Sequence, residues 1–383
     1  KRNLLTVLVK QSATFGGNKA TGGKLGSNSG GSIYGASSFN IENVTISNSF
    51  AAEKGGGIYF TNVDVNYKNL TFINNTAEQG GGLYWLRATE IEGMKFINNT
   101  ATQQGGAMYL PVAQTIINNE FIGNKANEGG AIYVYATGST IQYNNFTNNS
   151  ANMGGAIYAP KLNNHYVDIS HCAFDGNNAS YGGAIYNAFN GNSNFPISDC
   201  TFIRNTAKFD GGAVYLATTG HYITSCTFES NNAQNGGSLY VIPDITANVR
   251  DSTFVSSHAD NGGAIYYGGE STGLTIYNDT FRKNSAVYNG AAVYYVVVEN
   301  SIECVYRDFN NFDGIGHIDP NTHRTDVYTN GTSTHFIFTS LFEKLSLLEI
   351  VSKTSWLPWF LINKSNTLSW YSDANFKWSS TID

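Results

Sequence analysis

Charge is scarce in this chain. Only 13% of its 383 residues are Asp, Glu, Lys or Arg, and 22 basic against 28 acidic side chains leave a formal net charge of -6. No basic stripe is present to neutralise a phosphate backbone, so no nucleic-acid partner is expected. Long apolar runs are missing as well. The longest, Trp356 to Ile362, is broken by Pro358 and is too short for a bilayer, so no membrane span is expected in this chain. The four cysteines form no Cys-x-x-Cys pair and no Cys/His zinc spacing, and calcium repeats of the Gly-Gly-x-Gly-x-Asp type are absent. Gly17 to Leu25 is glycine-bearing but lacks the spacing and the hydroxyl of a phosphate loop. No metal or cofactor is therefore expected. There is no Met at position 1 and no charged-then-apolar leader, so Lys1 reads as the start of a processed or truncated product.

What is plentiful is glycine, with 41 residues, and aromatic side chains, at 14%. With 41% hydrophobic residues the chain can bury a large core, which excludes disorder. Self-comparison explains the composition. Two glycines, a small residue, an aliphatic residue and a tyrosine recur eleven times, ending at Tyr34, Tyr59, Tyr84, Tyr109, Tyr133, Tyr158, Tyr186, Tyr215, Tyr240, Tyr266 and Tyr294, at spacings of 24 to 29 residues. The second glycine is replaced once, by Ala291. Upstream of each copy lies Phe-x-x-Asn-x-Ala, from Phe15 to Phe281, in which Ile46 once replaces the aromatic and Ser49 and Ser257 replace the Asn. Five residues before the aromatic an apolar residue usually stands, as at Ile91, Ile116 and Ile141.

About twenty-five residues with three short strand-like runs and no helical period make one coil of a parallel β-helix. The fold class expected is all-β: a right-handed single-stranded parallel β-helix (solenoid) of about eleven coils with a C-terminal cap. Residues 1–14 are assigned to an N-terminal cap strand, 15–309 to the β-helix repeats and 310–383 to a C-terminal cap or docking segment. Like residues then recur about every 4.8 Å along the axis, giving a rod on the order of 50 Å long. Stacked Asn side chains pass hydrogen bonds from coil to coil. The Gly pair takes a positive φ or permits close backbone approach, and Ala fits a turn too tight for more.

Strand alternation groups the aliphatic residue before Tyr with the residue after it, which is Phe60, Trp85, Leu110, Val134, Leu216, Val241, Tyr267 or Tyr295. The aliphatic column is therefore placed inside and the tyrosines outside, as an external ladder with a flat apolar surface. Candidate binding residues are Tyr59, Tyr84, Tyr109, Tyr133, Tyr158, Tyr186, Tyr215, Tyr240 and Tyr266. The bland alternative is lateral stabilisation of the sheet. Insertions after Tyr, in Ala159 to Val167, Asn187 to Pro196 and Leu216 to Tyr222, place a loop rim on one edge. The tail holds Trp356, Trp359, Trp370 and Trp378, candidate docking residues if it engages a neighbour rather than capping the coil. His335 to Ser352 fits either two strands or an amphipathic helix.

The paired blocks resemble the repeats of the chlamydial polymorphic membrane proteins, known by the motifs GGAI and FxxN. GGAI stands at Gly129–Ile132, Gly154–Ile157, Gly182–Ile185 and Gly262–Ile265, and FxxN at nine of eleven aromatic positions. The resemblance covers roughly residues 10 to 309. Similar repeats occur in adhesin-like surface proteins of methanogenic archaea and of some protists. It implies a β-helix displayed outside the cell, at its surface or extracellular, acting in adhesion or as a structural element. Expected partners are other extracellular proteins or surface glycans, with self-assembly into a filament as an alternative.

β-Helices also host polysaccharide lyases and hydrolases. The best catalytic candidates are His171, Asp199, Ser225 and Asp251, on successive coils three residues before the aromatic. Their order places Asp between His and Ser, whereas activating a nucleophile needs His between them. No catalytic residue is assigned and no enzyme is expected. Cys172, Cys200 and Cys226 stack two residues before the aromatic, as buried free thiols or, in poorer geometry, a bridge. Cys304 has no evident partner. Asn43, Asn69, Asn74, Asn98, Asn145, Asn148, Asn178, Asn278, Asn330 and Asn363 begin glycosylation sequons, at about the frequency that Asn abundance alone produces.

Overall fold

The computed structural model describes residues 13–21, 28–87, 90–160, 166–188, 192–217, 219–243, 245–268 and 274–296. It also describes the short strands Leu5–Thr6, Tyr306–Arg307, Asn311–Phe312, Val327–Asn330, Phe336–Phe338, Phe360–Ile362 and Leu368–Trp370. No α-helix occurs among the described residues. Three long parallel sheets form the coil, two from its first turns and the third from Glu90 onward, and each strand pairs with its counterpart one repeat away. One carries the Phe column, a second of 12 strands carries the Tyr column, and a third of 9 strands carries the Ile column. Pairing is like on like: Phe96 with Phe121, Tyr109 with Tyr133, Ile116 with Ile141. This is the stacked β-helix expected from the repeat.

The core is the set of inward columns. Ile91, Phe96, Leu83 and Leu110 are fully buried, as are their equivalents in later coils. Consecutive Phe rings from Phe72 to Phe281 lie face to face, with centroids 4.6 to 5.1 Å apart. Each such pair adds roughly 0.5 to 1.5 kcal/mol beyond its area burial.

Corners are decided by the backbone. The first glycine of each pair is left-handed; at Gly129, φ is +64° and a Cβ would sit 2.1 Å from the Ile132 carbonyl oxygen. The second is a close approach, for a Cβ on Gly130 would lie 2.1 Å from the Gly155 carbonyl of the next coil. Two further left-handed corners flank each Phe strand. Asn118, Tyr143, His171, Asp199, Ser225, Asp251 and Asn278 hold one, and Asn98, Gly123, Asn148, Gly176 and Arg204 the other. Asn, Asp and Gly tolerate this region best, which accounts for much of their abundance here.

The Asn column is a continuous ladder. From Asn75 through Asn99, Asn124, Asn149, Asn177 and Asn205 to Asn231, each Nδ2 donates to the next Oδ1 at 2.9 to 3.1 Å. The same Oδ1 accepts the backbone N–H of the preceding Asn, and the second Nδ2 hydrogen goes to a carbonyl of the preceding coil, as from Asn124 to Phe96 at 2.9 Å. The side-chain polar atoms of these ladder Asn residues are thereby satisfied. Where Ser49 and Ser257 are too short for this, a second serine completes the network: Ser32 lies 2.6 Å from Ser49 and Ser238 2.7 Å from Ser257, oxygen to oxygen.

At the N-terminal end, Leu5–Thr6 pairs with Phe39 and Asn40. At the other end parallel pairing extends to two strands beyond residue 309. Asn311–Phe312 joins the Phe sheet with Phe312 opposite Phe281, and Val327–Asn330 joins the Tyr sheet with Tyr328 opposite Tyr294. Backbone pairing persists there although the Gly-Gly and Asn signals have gone. Phe336–Phe338 is a strand, in a three-stranded antiparallel sheet with Leu368–Trp370 between it and Phe360–Ile362. Trp370 ends the middle strand, while Trp356, Trp359 and Trp378 lie outside the described residues.

Candidate functional site

The outer face of the Tyr sheet is the most regular feature of the surface. Ten consecutive ring contacts from Tyr34 to Tyr294 have centroids 4.5 to 5.4 Å apart and planes within 26° of parallel. The aliphatic residues before them and Phe60, Trp85, Leu110 and Val134 after them belong to the interior, so the tyrosines do point outward. The flat apolar surface is corrected, however. Tyr84, Tyr109, Tyr133 and Tyr158 are only 5 to 9% exposed, because stacked rings cover one another's faces and the flanking columns cover their sides. At Tyr34 the residue is 49% exposed. What the ladder offers elsewhere is ring edges, each ending in a hydroxyl.

Because Tyr84, Tyr109, Tyr133 and Tyr158 are more buried than Gln79, Gln104 and Glu128 on one side and Leu86, Pro111 and Tyr135 on the other, those edges lie recessed between two flanking columns, as the floor of a shallow furrow. One wall is polar: Gln79 Nε2 donates to Gln104 Oε1 at 2.8 Å, Gln104 Nε2 donates to Glu128 Oε2 at 3.0 Å, and Lys54 Nζ lies 5.0 Å from the Tyr84 ring centre. Further along it becomes Asp210, Asn235, Asn261 and Asn289, linked by side-chain hydrogen bonds of 2.9 to 3.2 Å. Met153 interrupts this wall, and Leu86 and Ala188 pack against the rings from the apolar side. Tyr135 stands 6.2 Å from Tyr109. Burial pushes the Tyr84 and Tyr266 hydroxyls up to about 12, with neighbouring tyrosines adding to it. Tyr109, Tyr133, Tyr158, Tyr215 and Tyr240 are raised for the same leading reason. The row therefore stays neutral at ordinary pH.

The catalytic candidates fall on a left-handed corner, a backbone reason for their polar identities. His171 Nε2 is 3.9 Å from Asp199 Oδ2 with both side chains about half exposed, and its ring stacks on Tyr143 at 4.6 Å. Asp251 is held by Asn278. Among the described residues no three His, Cys, Asp or Glu side chains converge as a metal site would require.

Cys172, Cys200 and Cys226 are free and buried. They occupy an inner polar column that reads Asn119, Asn144, Cys172, Cys200, Cys226, Ser252, Asp279. Along it, Asn144 Oδ1 accepts the N–H of Asn119, Cys200 Sγ that of Cys172 at 3.4 Å, Ser252 Oγ that of Cys226 at 3.1 Å and Asp279 Oδ1 that of Ser252. Burial raises the Cys200 thiol well above its ordinary value. Cys304 lies outside the described residues. Asp279, a fully buried carboxyl, and the buried His221 and Asn187 were not singled out by sequence reasoning, since none stands in a repeated column of its own letter.

Six sequons coincide with left-handed corners: Asn43, Asn69 and Asn278 before the Phe strand, and Asn74, Asn98 and Asn148 after it. In Asn74-Asn75-Thr76 the first Asn turns the chain and the second enters the ladder, so the triplet has a structural origin. Asn145 and Asn178 are exposed. Asn330 ends a described strand, and Asn363 lies outside the described residues. Parts of the loop rim, residues 161–165 and 189–191, do as well. Among the described residues no helix is long and apolar enough to cross a membrane.

Continuous parallel sheets wound from a single chain, with like side chains stacked in columns, define a right-handed β-helix built of repeats. A family model described as right handed beta helix region matches residues 106–302, just over half of the chain, and the chain belongs to that family. Residues 69–84, which span Phe72 to Tyr84, match the Chlamydia polymorphic membrane protein repeat. No curated protein and no solved structure matches the chain.

Proposed function

We propose that this chain is a non-catalytic adhesive or structural module of a cell surface, a stiff rod that carries its binding features along one side. The observation that carries the reading is the unbroken like-on-like register from Tyr34 to Tyr294, joined to a repeat match with a surface-protein family. A rod stabilised by ring stacking and, from Asn75 to Asn231, by an amide ladder resists bending and holds a furrow straight over many rungs. Its partners on this reading are surface glycans or extracellular proteins. Antibody labelling of intact against permeabilised cells tests the location, and capture on arrays of glycans and surface proteins tests adhesion. Labelling that appears only after permeabilisation overturns the proposal.

A further inference from the structure

We infer that the furrow over Tyr84, Tyr109, Tyr133 and Tyr158 is a binding site for a linear, uncharged glycan lying parallel to the rod axis. This inference rests on the adhesive reading above and names the ligand class. Its first support is the hydroxyl row. Each of these four residues is only 5 to 9% exposed, yet its phenol oxygen is open to solvent and makes no hydrogen bond to a described residue. A hydroxyl both donates and accepts, as a sugar hydroxyl does, so the row is matched to a polyol rather than to a ligand of one sense only.

The second support is the pair of unlike walls. Gln79 and Gln104 present amides on one side, while half-buried Leu86 and Pro111 and exposed Tyr135 present apolar surface on the other. A pyranose chain has the same division, with hydroxyls at its edges and C–H groups on its faces. Lys54 and Glu128 are the charged groups at this part of the floor, one of each sign, so a polyanion gains nothing.

The third support is spacing. The ring centroids of Tyr84, Tyr109, Tyr133 and Tyr158 are separated by 5.0, 5.0 and 5.3 Å. Same-face residues of an extended peptide repeat at about 6.6 Å and fall out of step within three rungs. Extended β-1,4-linked pyranoses advance by close to one rung per sugar and stay in step. Because the ring faces are occupied by one another, the tyrosines act here through hydroxyls and not by stacking on sugar rings.

The test is calorimetric titration of cellohexaose and maltohexaose, with a polygalacturonate fragment as the charged contrast. It compares the intact chain with a Tyr109→Phe, Tyr133→Phe, Tyr158→Phe triple variant. Phenylalanine keeps the stack and removes only the hydroxyls, and unchanged far-UV circular dichroism confirms the coil. The triple variant is expected to bind a neutral oligosaccharide about tenfold or more weakly, from three lost hydrogen bonds. Gln104→Ala, on the polar wall, is expected to weaken it too. Equal affinity in the triple variant overturns the furrow, as does preference for the polyanion or binding of neither neutral oligosaccharide. If the hydroxyls instead govern a concentration-dependent dimer seen in sedimentation, the furrow is an interface between copies and the glycan site is refuted. Any of these leaves surface location standing, whereas failure of intact-cell labelling removes the adhesive reading without touching a measured sugar affinity.

Discussion

Replacing Asp279 by Asn should remove a pH dependence that one buried carboxyl imposes on the rod. Asp279 sits in the column where Asn119 and Asn144 stand in earlier coils. Its Oδ1 accepts the Ser252 N–H at 2.7 Å and its Oδ2 the Tyr277 N–H at 3.0 Å. Burial drives its pKa from 3.8 up to about 8, Asp251 adds to the rise, and the two N–H bonds oppose it. Native protein thus holds this proton where unfolded protein has lost it. Stability is full below about pH 4, falls as pH rises from there to about 8, and is flat above that value. Four units at about 1.4 kcal/mol each set a ceiling of about 5 to 6 kcal/mol. An amide at this position can donate as the protonated acid does and does not ionise. Urea denaturation across this range should show the parent losing stability with rising pH, and Asp279→Asn lacking that part of the slope. Hydrogen exchange at the Ser252 and Tyr277 amides should report the same change locally. Parallel pH profiles in parent and variant would refute the reasoning, as would a carboxyl resonance titrating near pH 4.

Three further outcomes follow from other columns. Gly130→Ala forces a Cβ to within 2.1 Å of the Gly155 carbonyl, and Gly129→Ala places one in a left-handed turn. Each should cost more than about 2 kcal/mol in urea denaturation. Ser238→Ala should cost about 1 to 3 kcal/mol by leaving Ser257 and Asn231 under-bonded. Adding Ser257→Asn should recover most of that loss, which a double-mutant cycle reads directly. The thiols of Cys172, Cys200 and Cys226 should stay unreactive toward a disulfide reagent until denaturant is added, and Cys200→Ser should be nearly neutral because Ser252 holds the same place two coils on.

Much of this was legible in the residues because stacking turns sequence periodicity into spatial identity. The Phe, Tyr and aliphatic columns, the Asn ladder and the glycine corners each repeat a visible letter. Exceptions were harder to interpret. Ser49 and Ser257 look like lapses until Ser32 and Ser238 are found across the turn, a pairing that a search for serines at the third position of the preceding block would have raised. His171, Asp199, Ser225 and Asp251 resemble chemistry in sequence because the left-handed corner they share leaves no repeated letter.

The amino-acid order by itself determined the winding, the inward and outward columns and the register, since a side chain's column depends only on its place in the repeat. Tertiary structure alone decided how exposed each column is. Rings separated by a coil in sequence shield one another in space, and the flanking columns, one of Gln79, Gln104, Glu128 and Met153 and the other with Leu86 and Tyr135, make a furrow of what alternation presents as a plane. It also decided that Asp279 is sealed in an inner polar column beside Ser252, because burial depends on neighbours that the chain brings in from other coils.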